Sequence, residues 1–575
     1  MKKTACTIAE LGFIFAASVL AASSTVLAAA GNAMDAAPGL HPAALRCEHL
    51  ENPLGIDVTR PRFIWELQSR QRGQKQTAFR VLVASSPEKL ASNEADLWDS
   101  GRVESSRSIL VPYAGETLGP DTDCHWKVKV WGKKGEPSEW SEPARFSIGL
   151  LGEEDWQGEW IEFPAGDPKL SCPQYRKTFS LDRPASRAFV YVASLGTHEL
   201  YINGEKADDR VLAPAHSFLA RRVLYVAYDV ADLLQRGENV IAVWHGPGFA
   251  PYDGATPAIR VQANIVADDG SKVSVATDAS WKCAESGHRI YYRDERPRAR
   301  RYGGEEIDAR KLSPDWNTAG FDDSAWVSAL PTSRDVVVSA QNAQPDRIIR
   351  AFSPVSITGA GEKSYKVDFG TNFTGFIELR NLRGEPGQEI LIQSSDDLVR
   401  GEKHNQASRY ICGESPGTFR HRFNWTAGRS VQITGFDYEP QPGDVRGHAV
   451  GTDLERIGRF ECSNDLFNRM YEKDLWTFRA NTLAGMTMDC PHRERRGYGE
   501  VAWSTARGIG LPNYRAGDFY ARRVRDWCDA QREDGLFPHI APNSGMHGGG
   551  ATLGRRPPAS RLGDAPPPRG PQGGR

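Results

Sequence analysis

The hydrophobic pattern of this chain changes period once, near Ser463, and that change limits what the chain can fold into. Before it, apolar and polar residues alternate in short runs. Arg62–Leu67, Phe79–Ala84 and the eight residues Cys124–Trp131 are the clearest early examples. Strict period two over four to eight residues is the mark of a half-buried strand. Turn-forming clusters such as Asp99-Ser100-Gly101 and Lys134-Gly135-Glu136-Pro137 separate the runs, so residues 40–150 are predicted to form a small fibronectin-type β-sandwich. After Ser463, apolar residues recur at Leu466, Phe467, Met470, Tyr471, Leu475 and Phe478. Those spacings place them on one helical stripe, with Ser463 as the expected cap. A second stripe at Tyr520, Val524 and Trp527 predicts another helix, ending near Gly535.

Between these limits the pattern stays β-rich. Arg187–Val192 leads into His198–Gly204, and Asn203-Gly204 is a strong two-residue hairpin signal. Asn239–Trp244 reads as a buried strand, and the long connection from Gly246 to Thr256 suits a jelly roll over residues 155–331. Tyr365–Gly370, Phe376–Arg380, Glu389–Gln393 and Val431–Thr434 predict a further β-sandwich over residues 340–450. The expected fold is therefore multidomain: three N-terminal all-β modules followed by helices from about residue 454 to residue 547.

Both ends differ from this body. Lys2 and Lys3, the apolar run Leu11–Ala22 and the small residues up to Ala30 form the pattern of a signal peptide over residues 1–30. A secreted or periplasmic protein is expected. The last 28 residues hold 8 Gly, 6 Pro and 5 Arg with no aromatic residue, so residues 548–575 are predicted to be a disordered tail. A linker or a shifted reading frame would give such a composition, and the second is preferred. A formal charge of −2 offers no footprint for nucleic acid or an anionic membrane surface. None of the nine cysteines forms a CxxC pair, and single buried thiols are expected after Cys6 is removed.

The chemistry is concentrated in Met488–Glu500, where three carboxylates are interleaved with three arginines. Pro491 disfavours a helical backbone at Cys490, which predicts a loop between two helices. By composition alone such a run also reads as a solvated, salt-bridged surface. Paired carboxyls suit glycoside hydrolysis, where one protonates the leaving oxygen and the other activates water or attacks. Arg493 and Arg495 flank Glu494 and would lower its pKa if close, which opposes an acid role; burial or Asp489 would have to raise it again.

Asp489-Cys490-Pro491-His492-Arg493-Glu494-Arg495-Arg496-Gly497-Tyr498 resembles the signature loop of the bacterial α-L-rhamnosidases, glycoside hydrolases with a six-hairpin (α/α)6 barrel. Gly458–Asn464 is similar to the family's start of the barrel, and Ala530–Gly535 to a later barrel segment. Tyr201–Gly204 and Asp368–Gly375 resemble its accessory β domains. The resemblance implies that Glu494 is the general acid of an inverting mechanism, that Asp489 and Arg493 line the rhamnose subsite, and that Tyr498 borders the sugar. It implies a third carboxylate after the glycines, for which Glu500 is the nearest candidate while Val501 fits the aligned place. Trp503 is open to sugar stacking or to packing. No cofactor or metal is implied, and the expected partner is a rhamnose-containing glycan or glycoside, with no nucleic acid and no membrane. The family's base is a glutamate further along the barrel than this sequence runs, so a truncated, catalytically incomplete enzyme is expected. The alternative is a non-catalytic carbohydrate-binding fragment using aromatics such as Trp244, Phe249 or Tyr252. A purely structural β protein would leave the loop unexplained.

Overall fold

The computed structural model describes residues 39–293, 303–396, 404 and 406–542. The signal-like segment and the Gly/Pro/Arg-rich tail lie outside these residues, as does Cys6. The chain divides into two compact units, one formed by residues up to Asn52, Arg60–Thr117 and Asp123–Arg145, the other by the remainder.

In the first unit the alternating runs become strands as expected. Arg62–Gln68 pairs with His41–Cys47 and Val111–Pro112, while Ala78–Ala84 pairs with Asp123–Trp131 along seven residues. Phe63, Trp65, Val81, Trp126 and Val128 are buried, and the Phe63 and Trp126 rings lie 4.4 Å apart.

The second unit opens with two packed sheets. One holds Thr197–Ile202, Gly237–Gly246 and Gln174–Leu181 in that order, and the other holds Ala258–Ala267, Ala185–Leu195 and Arg222–Asp229. Inward-facing Tyr175, Ile241 and Val243 meet Val190, Val192 and Val261 in a single apolar core. Asn203-Gly204 turns the chain with both residues at positive φ, pairing Ile202 with Glu205, so the hairpin expected there forms.

A ten-stranded sheet follows. Its spine is the 19-residue strand Ser364–Leu382, which absorbs two of the expected strands; an irregular register between Asp368 and Phe373 bends it where the sequence suggested a break. Two strands within residues 155–331, His288–Tyr291 and Gly304–Asp308, belong to this sheet rather than to the jelly roll. That crossing ties the two β domains together.

The main helices of the last part of the described chain are α1 (Asp465–Asn481), α2 (Gly499–Thr505) and α3 (Gly517–Asp529), with short helical turns at Ala506–Gly510 and Leu511–Asn513 between the last two. Asn464 caps α1 instead of Ser463, its side chain accepting from the Leu466 N–H. The α1 stripe is split. Leu475 and Phe478 are buried, whereas Leu466, Phe467 and Met470 are each more than half exposed. Cys47, Cys124, Cys172, Cys283 and Cys412 are buried free thiols, but Cys462, Cys490 and Cys528 are not buried, which corrects the expectation for those three. No described helix is long and apolar enough to cross a membrane.

Candidate active site

The loop between α1 and α2 is held from three sides. A short ribbon, Thr482–Leu483 against Met486–Thr487, brings the chain out of α1. Inside the loop the N–H groups of Arg493 and Arg495 both point to the Cys490 carbonyl, closing a tight turn after Pro491. Gly497 lies against the Ala541 carbonyl and the Arg523 guanidinium, where a Cβ would come within 2.7 Å of either, so only glycine fits without displacement.

Arg495 is the main anchor. Its side chain is buried, at positive φ, and it points away from Glu494 into the β domains. Its guanidinium donates to the Pro491 carbonyl at 2.9 Å, the Asn424 side chain at 2.6 Å and the Trp425 carbonyl at 2.6 Å, and it stacks over the Trp425 ring at 4.3 Å. Trp425 in turn donates its indole N–H to Pro491. The Asn424–Trp425 corner is fixed by Glu305, whose buried carboxylate accepts from the backbone N–H groups of Arg422, Phe423 and Asn424 and pairs with His288 at 2.5 Å. Burial alone would raise the Glu305 pKa, but His288 and these donors hold it below the usual range. Sequence reasoning missed Glu305, Asn424 and Trp425. No local motif marks them, since they act across more than 60 residues of chain.

With the loop pinned this way, Asp489, Cys490 and Glu494 converge, each with a ligand-capable atom within 4.8 Å of the others. The Cys490 thiol donates to Asp489 at 3.0 Å, and the Glu494 N–H points at the Cys490 sulfur. Tyr498 donates to one Glu494 oxygen and Arg493 to the other, each at 2.9 Å. Burial, reinforced by the neighbouring Glu494 carboxylate, pushes Asp489 up to about 6. Burial also acts to raise Glu494, but the Tyr498 and Asp489 hydrogen bonds and the Arg493 charge outweigh it and leave Glu494 below its ordinary value. Two carboxyls this close favour one shared proton, because ionising both places like charges in contact. Only Arg493 of the two flanking arginines faces Glu494. The same three groups are the one cluster among the described residues with metal-ligand spacing, although Arg493 already supplies a positive charge there.

Glu500 and Trp503 are not brought to this cluster. Glu500 is exposed in the first turn of α2, and Trp503, 42% exposed, lies under the Arg507 guanidinium. His492 packs edge-on against His404 at 4.8 Å and faces Asp396 at 3.9 Å. Trp476 docks on the ten-stranded sheet, donating to the Asn372 carbonyl, and Trp527 is buried beside Gly499, so both are packing residues. Trp244 is a core residue of the jelly roll.

β modules leading into a helical segment, with a carboxyl-bearing loop where the two meet, form the architecture of a modular glycosidase. Four family models match in succession: the Rha78A-like N-terminal immunoglobulin domain over residues 42–152, the alpha-L-rhamnosidase N-terminal domain over 183–350, the bacterial alpha-L-rhamnosidase concanavalin-like domain over 359–451 and the bacterial alpha-L-rhamnosidase 6 hairpin glycosidase domain over 455–554. The chain belongs to the bacterial alpha-L-rhamnosidase family. Its first module, expected to be fibronectin-like, is matched as an immunoglobulin domain, a sandwich of related plan. An alpha-L-rhamnosidase of Formosa agariphila is 32% identical over 526 residues, covering 83% of this chain and 54% of the relative. One solved structure, the alpha-L-rhamnosidase from Dictyoglumus thermophilum, aligns with a TM-score of 0.81 at 33% identity, over 88% of this chain and 59% of that one. The Aspergillus terreus enzyme aligns with a TM-score of 0.77 at 26% identity, over 88% and 60%. The chain thus spans little more than half the length of these relatives.

Proposed function

We propose that the Asp489–Tyr498 loop is the sugar-recognising and proton-donating part of an inverting α-L-rhamnosidase site, acting on terminal rhamnose of glycosides or polysaccharides. The observation that carries this reading is the Asp489–Glu494 pair, two carboxyls within 4.8 Å of each other with Glu494 oriented by Arg493 and Tyr498. The names of the relatives support the substrate class, as does the Streptomyces avermitilis alpha-L-rhamnosidase, whose structure was solved in complex with L-rhamnose. In this reading the proton held between the pair passes to the glycosidic oxygen as its bond to the anomeric carbon breaks. Water adds to that carbon from the opposite face and gives its proton to a separate base. Asp489 is not that base. An inverting pair stands roughly 6.5–9.5 Å apart to admit the water, whereas Asp489 lies within 4.8 Å of Glu494 and serves instead to hold the proton near neutrality.

Hydrolysis of a chromogenic α-L-rhamnoside by the purified chain tests this. The expected outcome is that any turnover falls at least a hundredfold in Glu494→Gln, the usual order for removing a general acid. Turnover unchanged by the substitution would sink the assignment. Rhamnoside binding with no turnover would instead favour the carbohydrate-binding alternative.

A further inference from the structure

Behind the loop, a cavity with about 690 Å³ of open space lies among the jelly roll, the Phe423–Trp425 corner and the start of the helical segment. None of Asp489, Arg493, Glu494 or Tyr498 lines it; Arg495 and Ala484 close one side. Its walls are aromatic: Phe249, Tyr252, Tyr292, Phe423 and Trp425. We propose that this cavity is a second, non-catalytic binding site that takes a neutral pyranose ring.

Three observations point to that chemistry. The aromatic faces carry the partial negative charge of their π systems, which suits the C–H face of a sugar ring; Phe249 is held in place by stacking on His216 at 4.1 Å and by Trp425 at 5.9 Å. Hydroxyl-matching groups are interspersed with them. The Tyr252 and Tyr292 hydroxyls meet at 2.6 Å, and the Thr197 hydroxyl, on a residue 8% exposed that lines the cavity, has no hydrogen-bond partner among the described residues. A buried hydroxyl left unmatched costs about 1–3 kcal/mol, so a wall that carries one is suited to a polar guest.

The wall is also nearly neutral. The Arg495 guanidinium is already committed to three acceptors and the Trp425 face, which leaves Lys169 as the other cationic lining residue. His216, which also lines the cavity, faces Asp253 at 3.6 Å. Burial lowers the imidazole to about 3 and raises the carboxyl well above its ordinary value, disfavouring the charged form of each. A charged sugar would find no counter-charge except at Lys169. The site is independent of the loop's proposed chemistry, since it shares none of the reacting groups.

Calorimetric titration of the full chain with methyl α-L-rhamnopyranoside, a neutral pyranoside, tests the proposal, with D-glucuronate as the charged control. Thr197→Val and Ala215→Leu alter the cavity, the first by removing one hydroxyl and the second by filling space; Tyr292→Phe, which removes a single oxygen, replaces either should it fail to fold. Arg493→Ala and Glu494→Gln alter the loop. Saturable binding that weakens at least tenfold in the cavity variants, persists in the loop variants and is absent for glucuronate is the expected result. Two transitions, one lost with each set of variants, would support both sites. No saturable binding, or binding lost only in the loop variants, overturns the cavity proposal; the second result leaves the loop assignment standing.

Discussion

The jelly roll and the helical segment are stabilised in different ways, although they are neighbours in one compact unit. In the jelly roll, Val190, Val192, Ile241, Val243 and Val261 are wholly buried in one continuous core. In the helical segment, much of the apolar stripe of α1 faces outward, smaller clusters such as Leu475, Phe478, Tyr514 and Phe519 are buried, and buried polar bonds add to the attachment. The Arg522 guanidinium donates to the carbonyls of His216 and Gly485, and Arg523 donates to Asp526 and to the Ala541 carbonyl. Arg222 of the jelly roll pairs with Asp529 at the end of α3. Asp346 accepts from Thr452 at 2.8 Å and from the Ala484 N–H. The difference teaches that one continuous apolar core holds the jelly roll, while the loop-bearing segment combines smaller apolar clusters with a few buried directional bonds, each of which has fewer neighbours to share its loss.

The largest expected effect follows from that. Arg523→Ala leaves a buried carbonyl unmatched and weakens the charge balance of buried Asp526, a change worth about 3–5 kcal/mol. Limited proteolysis should then cut within residues 465–542 while the jelly roll stays intact; equal resistance of both regions would erase the contrast. Ile241→Ala, at a wholly buried site, should cost about 3 kcal/mol through lost burial and a residual cavity, read as a lower melting midpoint of the jelly roll. A loss below about 1 kcal/mol would show that its core can collapse around the gap.

A third effect depends on pH. Burial raises Asp346 to about 6, against the donors that act to lower it. Its protonated form is favoured by the fold, so the stability it contributes is present below about pH 4 and is lost as pH rises through about 6. Asp346→Asn, with its oxygen toward Ala484 and its amide toward Thr452, should remove that decline of about 3 kcal/mol; a slope unchanged in denaturant titrations at several pH values would reject the assignment. The smallest effect belongs to Met470→Ser on the exposed part of α1, expected to stay within about 0.5 kcal/mol. A larger destabilisation would mean that this face is covered in solution.

Much of the fold was legible in the sequence, because alternation and helical spacing are local records of which side of each element is buried. The runs at Arg62, Phe79, Cys124, Asn239 and Glu389 all became strands, and Asn203-Gly204 became a hairpin turn. The loop at Pro491 was legible for the same kind of reason, since proline restricts the residue before it whatever the tertiary context. The six apolar residues of α1 marked a stripe but not its covering, so only the structure separated buried Phe478 from exposed Phe467.

For the candidate site, the sequence by itself determined which groups stand close along the chain: Asp489, Arg493, Glu494 and Tyr498. Tertiary structure alone decided what they do to one another. It turned Arg495 away from Glu494 onto Trp425, left Arg493 to pair with Glu494, and placed Glu500 and Trp503 outside the cluster. It also placed Glu305 beneath the corner at Asn424, 119 residues away, whose backbone fixes the anchor. The physical reason is that a local pattern fixes conformation and amphipathicity, whereas a pKa depends on burial and on which charges arrive from elsewhere.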